Sequence, residues 1–272
     1  DYPIESNVGY YPGCVDYLDQ EMVFSHVNEG EMNLGDATTS AFTIFDEIGV
    51  DVSYLGRDFL KCCGHDQKWQ GLTEVFDKLK AYNQKKIQQS GIDTLVSSCA
   101  ECFRTFARDY ELEDVKVMHT TEFLIEQGFD MNLKVEEETT VTYHDPCRLG
   151  RQMGIYEEPR ELIQSVEGVS IVEMEHSGED AMCCGVSSMM SCNENARALR
   201  VARMEEIKST GADTMLTSCP KCVSHFECLK FEGDERYSDI KILDVVSFLA
   251  QQINEKKEKI GQDSIQTIET EA

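Results

Sequence analysis

The chain has 272 residues with 51 acidic and 25 basic side chains, a formal net charge of −26 and a pI near 4.5. A charge of this sign repels nucleic acid and anionic membrane surfaces, so both partner classes are excluded. Twelve cysteines are more than packing requires, yet too few for a small secreted disulfide scaffold. The sequence therefore predicts a cytoplasmic protein whose cysteines serve metal or redox chemistry.

The amino-terminal segment, residues 1–14, has neither a basic nor an apolar stretch of the signal-peptide kind. No run of 18 apolar residues occurs anywhere, which predicts no direct membrane span. Membrane association would then go through a partner. The chain starts without methionine, which leaves open a longer precursor or a fusion to a ferredoxin domain.

Short apolar runs that alternate with helical patterns predict an α/β protein with mainly parallel sheets. The expected strands, in chain order, are Val8–Tyr11, Val50–Leu55, Asp93–Ser97, Val115–Met118, Ser170–Met174 and Thr214–Thr217. Helices are expected at Leu72–Gln89 and Asn195–Thr210, with Gly91 and Gly211 at their ends. The predicted apolar face of the first helix is Leu72, Val75, Phe76, Leu79 and Tyr82, and that of the second is Ala198, Val201, Ala202 and Ile207.

The sequence contains one module twice. Gly91–Cys102, GIDTLVSSCAEC, is matched by Gly211–Cys222, GADTMLTSCPKC, at an offset of 120 residues. The CCG triplets at 62–64 and 183–185 match at 121, and VGYYPGC at 8–14 matches VTYHDPC at 141–147 at 133. The chain is therefore predicted to form two pseudo-symmetric halves.

The module boundaries follow from this repeat. The first module is assigned to residues 1–134, the second to 141–254, and a charged tail to 255–272. The polar segment Val135–Thr140 is predicted to be the linker, and the tail an exposed helix that frays to disorder. The change of offset from 121 to 133 places a 12-residue insertion near Val27–Thr38, predicted as a surface loop rather than a lid.

The cysteines follow predicted strands in both halves. Because the carboxyl ends of parallel strands meet at one crevice, the cysteine loops are expected to converge there. The helix amino termini that follow carry positive dipole ends and lower thiol pKa values. Zinc takes four ligands, which leaves one of five thiolates per half unused, and adjacent cysteines do not easily form a disulfide. The pattern favours iron–sulfur ligation, with a zinc module as the weaker alternative.

The spacings C-x47-CC-x35-CxxC and C-x35-CC-x34-CxxC resemble those of the cysteine-rich CCG-domain family. This family includes the catalytic B and D subunits of heterodisulfide reductase in methanogenic archaea. The resemblance implies two non-cubane [4Fe–4S] clusters that flank the disulfide of coenzyme M and coenzyme B. One cluster would be held by Cys14, Cys62, Cys63, Cys99 and Cys102, and the other by Cys147, Cys183, Cys184, Cys219 and Cys222. The longer spacing after Cys14 departs from the family pattern.

The resemblance implies an oxidoreductase that acts on a sulfur group and reduces the heterodisulfide in two one-electron steps. Electrons would come from a ferredoxin-like iron–sulfur subunit, with a flavin-containing subunit or a membrane cytochrome as a further partner. The family also includes electron-transfer subunits of lactate, glycolate and glycerol-3-phosphate oxidising flavoprotein systems. Both cysteine motifs are complete here, which favours the catalytic alternative. Neither a ferredoxin cysteine run nor a dinucleotide or Walker glycine motif occurs in the sequence.

Basic residues cluster beside the cysteines of this acidic chain. They are His65, Arg104, His144, Arg148, Arg151 and Lys221. They are expected to offset cluster charge or to bind an anionic substrate, and His65, His144 and Arg148 are the predicted substrate contacts. The alternative is that they pair with neighbouring acids at the surface. Cys192 and Cys228 lack counterparts in the first half and are predicted to be small buried side chains.

Overall fold

The computed structural model describes residues 4–15, 36–56, 58–186, 193–231 and 235–270, with side chains up to residue 262 in the last helix. Two four-stranded sheets form the centre of the protein, and every pair of neighbouring strands is parallel. The first sheet contains β1 (Val8–Tyr10), β2 (Ser53–Tyr54), β3 (Thr94–Ser97) and β4 (Lys116–His119). The second contains β5 (Lys134–His144), β6 (Glu167–Ile171), β7 (Thr214–Thr217) and β8 (Lys241–Asp244).

Helices connect and cover these strands. Those of the first half are α1 (Asp36–Glu47), α2 (His65–Trp69), α3 (Thr73–Ser90), α4 (Ala100–Asp109) and α5 (Thr120–Glu126). Those of the second half are α6 (Gly150–Met153), α7 (Glu157–Gln164), α8 (Glu194–Ser209), α9 (Pro220–Phe231) and α10 (Val245–Thr270). Within the described ranges, no helix combines the length and the apolar content that crossing a membrane requires.

The two sheets have the same topology. Their strand orders are β2-β1-β3-β4 and β6-β5-β7-β8, so strands in corresponding places of the two halves have corresponding neighbours. Individual contacts repeat as well: the Tyr10 hydroxyl donates to Ser98 Oγ at 3.0 Å, and the Tyr143 hydroxyl to Ser218 Oγ at 3.2 Å. The predicted α/β class with two pseudo-symmetric halves is confirmed.

The halves share one apolar core. A single cluster of buried side chains includes Tyr10 and Val96 of the first sheet together with Tyr143 and Leu216 of the second. Residues of α1 and α10 belong to the same cluster. Two further clusters lie beside the cysteines: one belongs to the first half, and the other joins residues of the second half with Ala100 and Phe103 of α4. Burial of this shared core fixes the position of one sheet's carboxyl edge, where its cysteines are expected, relative to that of the other sheet.

Most predicted elements are found close to their expected positions. Strand β7 coincides with its prediction, and β1, β3, β4, α3 and α8 begin and end within one residue of theirs. Gly91 and Gly211 end the two long helices with φ angles of 72° and 74°. Strand β2 has only two residues, and β6 begins three residues earlier than predicted. Strand ends depend on pairing with the neighbouring strand, which apolar content does not reveal.

The prediction of a linker is wrong. Residues 135–140 are part of β5, which pairs with β6 across a register shift. Four of these residues, Glu136, Glu137, Glu138 and Thr140, keep their polar side chains exposed within the paired strand. The tail is helical to Thr270 and exposed over most of residues 255–262, as predicted, while its fraying to disorder stays a prediction. Residues 27–35 of the predicted insertion lie outside the described residues, and 36–38 begin α1.

The predicted buried faces of the two long helices are also wrong. Helix α3 keeps only Phe76 of its predicted apolar row buried and adds Asn83 and Ile87. Helix α8 keeps only Ile207 and adds Ala196, Met204 and the fully buried Arg200 and Arg203. Both helices turn polar side chains inward because the cysteine loops beside them require hydrogen-bond partners.

Candidate metal centre

Six of the ten cysteines follow β1, β3, β5 and β7 at the carboxyl edges of the two sheets, and the four CCG cysteines lie in the loops that come after β2 and β6. Each CxxC pair opens a helix: the Phe103 amide donates to the Cys99 oxygen at 2.9 Å, and the Val223 amide donates to the Cys219 oxygen at 3.1 Å. The thiols of both pairs therefore lie in the first turn of α4 or α9. The positive end of a helix dipole stabilises thiolates at this place.

The CCG loops have the same geometry in both halves. Gly64 and Gly185 have φ angles of 81° and 84°, and their amides donate to Cys62 Sγ and Cys183 Sγ at 3.4 Å. A β-carbon on Gly64 would lie 2.7 Å from the Phe76 ring, and one on Gly185 would lie 2.4 Å from a backbone oxygen of α8. Glycine is required at both positions because the left-handed backbone and the close packing exclude a side chain.

Asn83 holds the first CCG loop. Its Oδ1 accepts from the Lys61 amide at 2.8 Å, and its Nδ2 donates to the Lys61 and Cys62 oxygens at 3.1 and 3.2 Å. It also donates to the Tyr110 hydroxyl, which in turn donates to the Cys63 oxygen at 2.9 Å. Asn83 is fully buried, so no solvent competes for these bonds.

We expect Asn83→Leu to lower the free energy of unfolding by about 3 kcal/mol, because several buried polar groups lose their partners. Urea unfolding followed by circular dichroism measures this change. The exposed Gln88 on the same helix provides the matched control, Gln88→Leu. Equal effects of the two substitutions would show that Asn83 does not hold the loop.

The thiols of the first half lie together. Cys14, Cys99 and Cys102 place their Sγ atoms within 4.8 Å of one another. Hydrogen bonds from Cys102 and then Cys62 lower the pKa of the Cys63 thiol to about 5. All five cysteines of the first motif thus belong to one group. Its outer members, Cys14 and Cys62, are partly exposed.

The second half has a corresponding group with one additional member. Cys184, Cys222 and the His144 imidazole place their donor atoms within 4.8 Å of one another, and the two Sγ atoms are 3.4 Å apart. Hydrogen bonds from Cys147 and then Cys184 lower the pKa of the Cys183 thiol to about 2.

The two groups of thiols meet at Cys99 and Cys219. Hydrogen bonds from Cys102, Cys14 and Cys219 hold the pKa of the Cys99 thiol well below its usual range. Cys219 in turn contacts Cys222, which leads to the rest of the second group. Cys99 and Cys219 occupy equivalent positions of the repeat, so the pseudo-two-fold axis passes between them. The structure brings all ten predicted cysteines into one row of contacts, while their assignment to clusters stays a prediction.

Cys192 and Cys228 are not part of the two five-cysteine motifs. Cys228 on α9 is half-buried, so it is less enclosed than predicted. Cys192 lies outside the described residues.

A buried ion-pair network joins the halves beside this contact. Lys221 Nζ lies 2.7 Å from both Asp66 carboxylate oxygens and 2.5 Å from Glu101 Oε2. Burial acts to lower the pKa of Lys221, but Cys14, Glu101 and Asp66 raise it above the usual range, so the ammonium stays charged. Burial raises the pKa of Glu101 to about 7, against the effect of Lys221. Lys221 therefore pairs with acidic side chains between the halves, in a buried position rather than at the surface as the alternative prediction had it.

Three other predicted basic residues surround Trp69, which is 44% exposed. The Arg148 guanidinium, from the second half, lies 3.9 Å from the centre of the Trp69 ring, and that of Arg104 lies 5.6 Å from it. His65 packs near the same ring and bonds through Nδ1 to Thr105 Oγ1 at 2.8 Å. Burial and nearby cations lower the pKa of His65 to about 3, so its ring is neutral. Trp69 and Arg148 form a cationic and aromatic surface where the halves meet, with the buried, neutral His65 beneath it and Arg104 paired with Asp109 at its edge.

His144 lies apart from that surface, within the second group of thiols. Arg203 Nε donates to His144 Nδ1 at 3.1 Å, so the neutral ring carries its proton on Nε2. The equivalent position of the first half is Tyr11, whose hydroxyl donates to the Lys61 oxygen at 3.1 Å. The second site therefore has an imidazole that the first lacks. Arg151, by contrast, donates to the Glu179 and Ala181 oxygens.

Sequence reasoning missed five residues of this region: Asp66, Trp69, Asn83, Glu101 and Arg203. The internal repeat could have revealed three of them, because it relates two pairs of equivalent residues. At the offset of 120, Glu101 corresponds to Lys221, and opposite charges at equivalent positions near a two-fold axis indicate a contact. Asn83 corresponds to Arg203 at the same offset, and both are buried on helices that support a cysteine site.

The chemistry of the donors fits an iron–sulfur group. Among the described residues, the cysteines form no disulfide. Each half presents five thiols, two of them in the first turn of a helix, and five is more than the four ligands that zinc takes. Soft thiolates are typical iron–sulfur ligands.

Residues 8–107 and 141–227 both match the family model of a cysteine-rich domain designated CCG. The chain belongs to the CCG family. Both matched segments coincide with the repeats that carry the cysteines, so the resemblance predicted from the sequence is confirmed.

This CCG protein is similar to the D subunit of dihydromethanophenazine:CoB–CoM heterodisulfide reductase from Methanosarcina acetivorans, with 31% identity over 91% of this chain and 59% of the relative. It is 30% identical to the B subunit of the CoM/CoB fumarate reductase from Methanothermobacter marburgensis, over 90% of this chain and 46% of the relative. The probable iron–sulfur-binding oxidoreductase FadF from Bacillus subtilis is 28% identical over 80% of this chain and 32% of that protein. The chain thus spans between about a third and three fifths of the length of these relatives, which support an iron–sulfur oxidoreductase role.

Among solved structures, aspartate racemase from Picrophilus torridus covers 89% of this chain and 90% of its own length, with 13% identity and a TM-score of 0.39. Nothing about function follows from a likeness at this level.

Proposed function

We propose that this CCG protein reduces the heterodisulfide of coenzyme M and coenzyme B to two thiols. The observation that carries the proposal is the meeting of two complete five-cysteine groups at Cys99 and Cys219, on the pseudo-two-fold axis. The similarity to one component of a heterodisulfide reductase supports it. Each five-cysteine group would hold one [4Fe–4S] cluster of the non-cubane type.

The reaction breaks one S–S bond, consumes two electrons that arrive one at a time, and adds one proton to each sulfur. Bound clusters would supply the one-electron steps. The residues around them would supply binding, and the two protons would come from solvent. His144, held in this tautomer by Arg203, presents its Nε2–H as a hydrogen-bond donor beside the second group.

The substrate contacts that we propose are His65, Arg148 and His144. Arg148 and His65 lie around Trp69, where the halves meet. The mixed disulfide carries sulfonate, phosphate and carboxylate groups, which a planar guanidinium binds with two hydrogen bonds. Arg148 is therefore proposed to bind an anionic end of the substrate, and His65 to lie against its chain.

The electrons would come from a ferredoxin-like iron–sulfur subunit, and a flavin-containing subunit or a membrane cytochrome would reduce that subunit in turn. The similar proteins from methanogens are named as subunits of larger enzymes, which supports a partner of this kind.

Turnover of the mixed disulfide tests the proposal. The protein reconstituted with iron and sulfide is incubated with reduced methyl viologen and the heterodisulfide. We expect viologen oxidation and two free thiols for every disulfide consumed. Protein without iron is the control. Absence of thiol release from protein with a full iron content would contradict the proposal.

An electron-transfer protein without a substrate of its own is the second candidate, and the similarity to the Bacillus subtilis oxidoreductase favours it. Electron paramagnetic resonance separates the two. If a cluster binds thiols, coenzyme M added to the oxidised protein creates a new signal. If the protein only relays electrons, the spectrum does not change.

A further inference from the structure

One flank of α3 exposes apolar and basic side chains together. Because successive helical residues are rotated by about 100°, positions 72, 75, 79 and 82 lie on the same side of the helix. Leu72, Val75 and Tyr82 are 48%, 45% and 38% exposed. Lys78 and Lys85 border this apolar row. We call these five residues the lysine flank.

The charge of this region is opposite to that of the chain. Residues 61–86 contain six lysines and three acidic residues, whereas the whole chain has 51 acidic and 25 basic side chains. Lys68 and Lys80 pair with Asp109 and Glu111 from outside this segment, so the exposed Lys61, Lys78 and Lys85 provide the positive charge. Of the acids on α3, Asp77 lies on the other side of the helix from Leu72 and Tyr82, and Glu74 lies one turn before Lys78 and offsets only that lysine. Surface charges act mainly within a Debye length of about 8 Å at physiological salt. A partner that touches the lysine flank therefore meets a cationic surface despite the net charge of −26.

The lysine flank continues to the first group of cysteines. Lys61 Nζ lies 5.9 Å from the centre of the Tyr82 ring, and Lys61 directly precedes Cys62. Lys86 Nζ lies over the Phe59 ring at 5.3 Å, which ties α3 to the same loop. Cys62 is itself partly exposed. A protein bound on the flank would therefore lie close to the first cysteine group.

A cluster of large exposed apolar side chains marks a protein interface more often than a single exposed apolar side chain does. Of the large apolar side chains that are exposed in the described ranges, half lie between residues 69 and 82, namely Trp69, Leu72, Val75 and Tyr82. Aromatic and aliphatic anchors surrounded by charges are typical of protein–protein contacts. The remaining acidic surface repels nucleic acid and anionic lipid.

We propose that the lysine flank binds a small electron-carrier protein with an acidic face, which passes single electrons to the first cysteine group. In each transfer the carrier is oxidised by one electron and the group bound by the first cysteine set is reduced by one, without breaking a covalent bond. This inference rests on the proposed function only in assuming that electrons enter from a protein. It names the face of the molecule at which they enter.

The test uses a small acidic ferredoxin with two [4Fe–4S] clusters as the probe. Calorimetry measures its dissociation constant with the full reconstituted chain at several salt concentrations. We expect binding to weaken as salt rises, and the double variant Lys78→Glu/Lys85→Glu to weaken it at least tenfold. The matched control is Lys241→Glu/Lys259→Glu, because Lys241 begins β8 at the sheet edge opposite the cysteines. Circular dichroism confirms that both variants are folded.

Stopped-flow reduction by the same ferredoxin should slow at least tenfold in the flank variant and stay unchanged in the control. Reduction by methyl viologen should be equal in all three proteins, because this small reductant needs no docking surface. Equal effects of the two double variants, or no ferredoxin binding to the unmodified chain, would overturn the inference. Failure of disulfide turnover with viologen would instead count against the proposed function and leave the docking result standing.

Discussion

Substitution of Cys99 by serine is expected to remove at least half of the iron and acid-labile sulfide from the reconstituted protein. Cys99 is completely buried, and its thiol contacts Cys14, Cys102 and Cys219, so it lies where the two groups meet. A serine oxygen is a harder ligand than a thiolate and suits iron–sulfur chemistry less well. Iron and sulfide analysis of the purified protein, together with its visible absorption, measures the loss.

Cys228→Ser is the matched control, because Cys228 is a half-buried cysteine that is not part of either five-cysteine motif. We expect it to keep the iron content of the unmodified protein. Metal binding to a site that exists only in the folded state contributes to stability, so Cys99→Ser should also lower the melting temperature of the loaded protein more than the control does. An unchanged iron content in Cys99→Ser would refute the assignment of Cys99 as a ligand.

Substitution of Lys221 by methionine is expected to lower the free energy of unfolding by about 3 kcal/mol, near the low end for breaking a buried ion pair. The ammonium lies between Asp66 and Glu101, and its removal leaves two carboxylates facing each other. The loss is reduced because Asp66 remains 19% exposed and retains some solvation. Chemical denaturation at neutral pH measures the change.

A second substitution separates charge from packing. In Lys221→Met/Glu101→Gln, the uncompensated charge on Glu101 is gone, so we expect about half of the lost stability to return. Lys208→Met on α8 serves as the control for removal of an exposed lysine, with an expected change below about 0.5 kcal/mol. A double variant no more stable than Lys221→Met would show that Lys221 acts through packing rather than through its charge.

The Lys221→Met substitution should also affect the metal site. Lys221 directly precedes Cys222 in the chain, and its ion pair with Glu101 joins the two halves. Loss of the ion pair should loosen the contact between Cys99 and Cys219. Iron content is therefore expected to fall together with stability in Lys221→Met, and to recover in part in the double variant.

The sequence by itself determined the α/β class, the two-fold repeat and the ten convergent cysteines. These features depend on local patterns: apolar runs that alternate with helical periodicity, and a motif that recurs with nearly constant spacing. The repeat also predicts that equivalent residues approach each other at the axis, although it does not say which ones. Cys99 and Cys219 are such a pair, and so are Glu101 and Lys221.

Only the tertiary structure decided which helix faces are buried, and the reason is the hydrogen-bond demand of the cysteine loops. Asn83 and Arg203 turn inward because the Lys61–Cys62 backbone and the His144 ring need partners there. Apolar residues such as Val75 and Tyr82 are left exposed in consequence. Residues 135–140 are a further feature that the local pattern could not predict, because pairing with β6 makes this polar segment part of a strand. Contacts between segments far apart in the chain decide these features, and a local pattern contains no information about them.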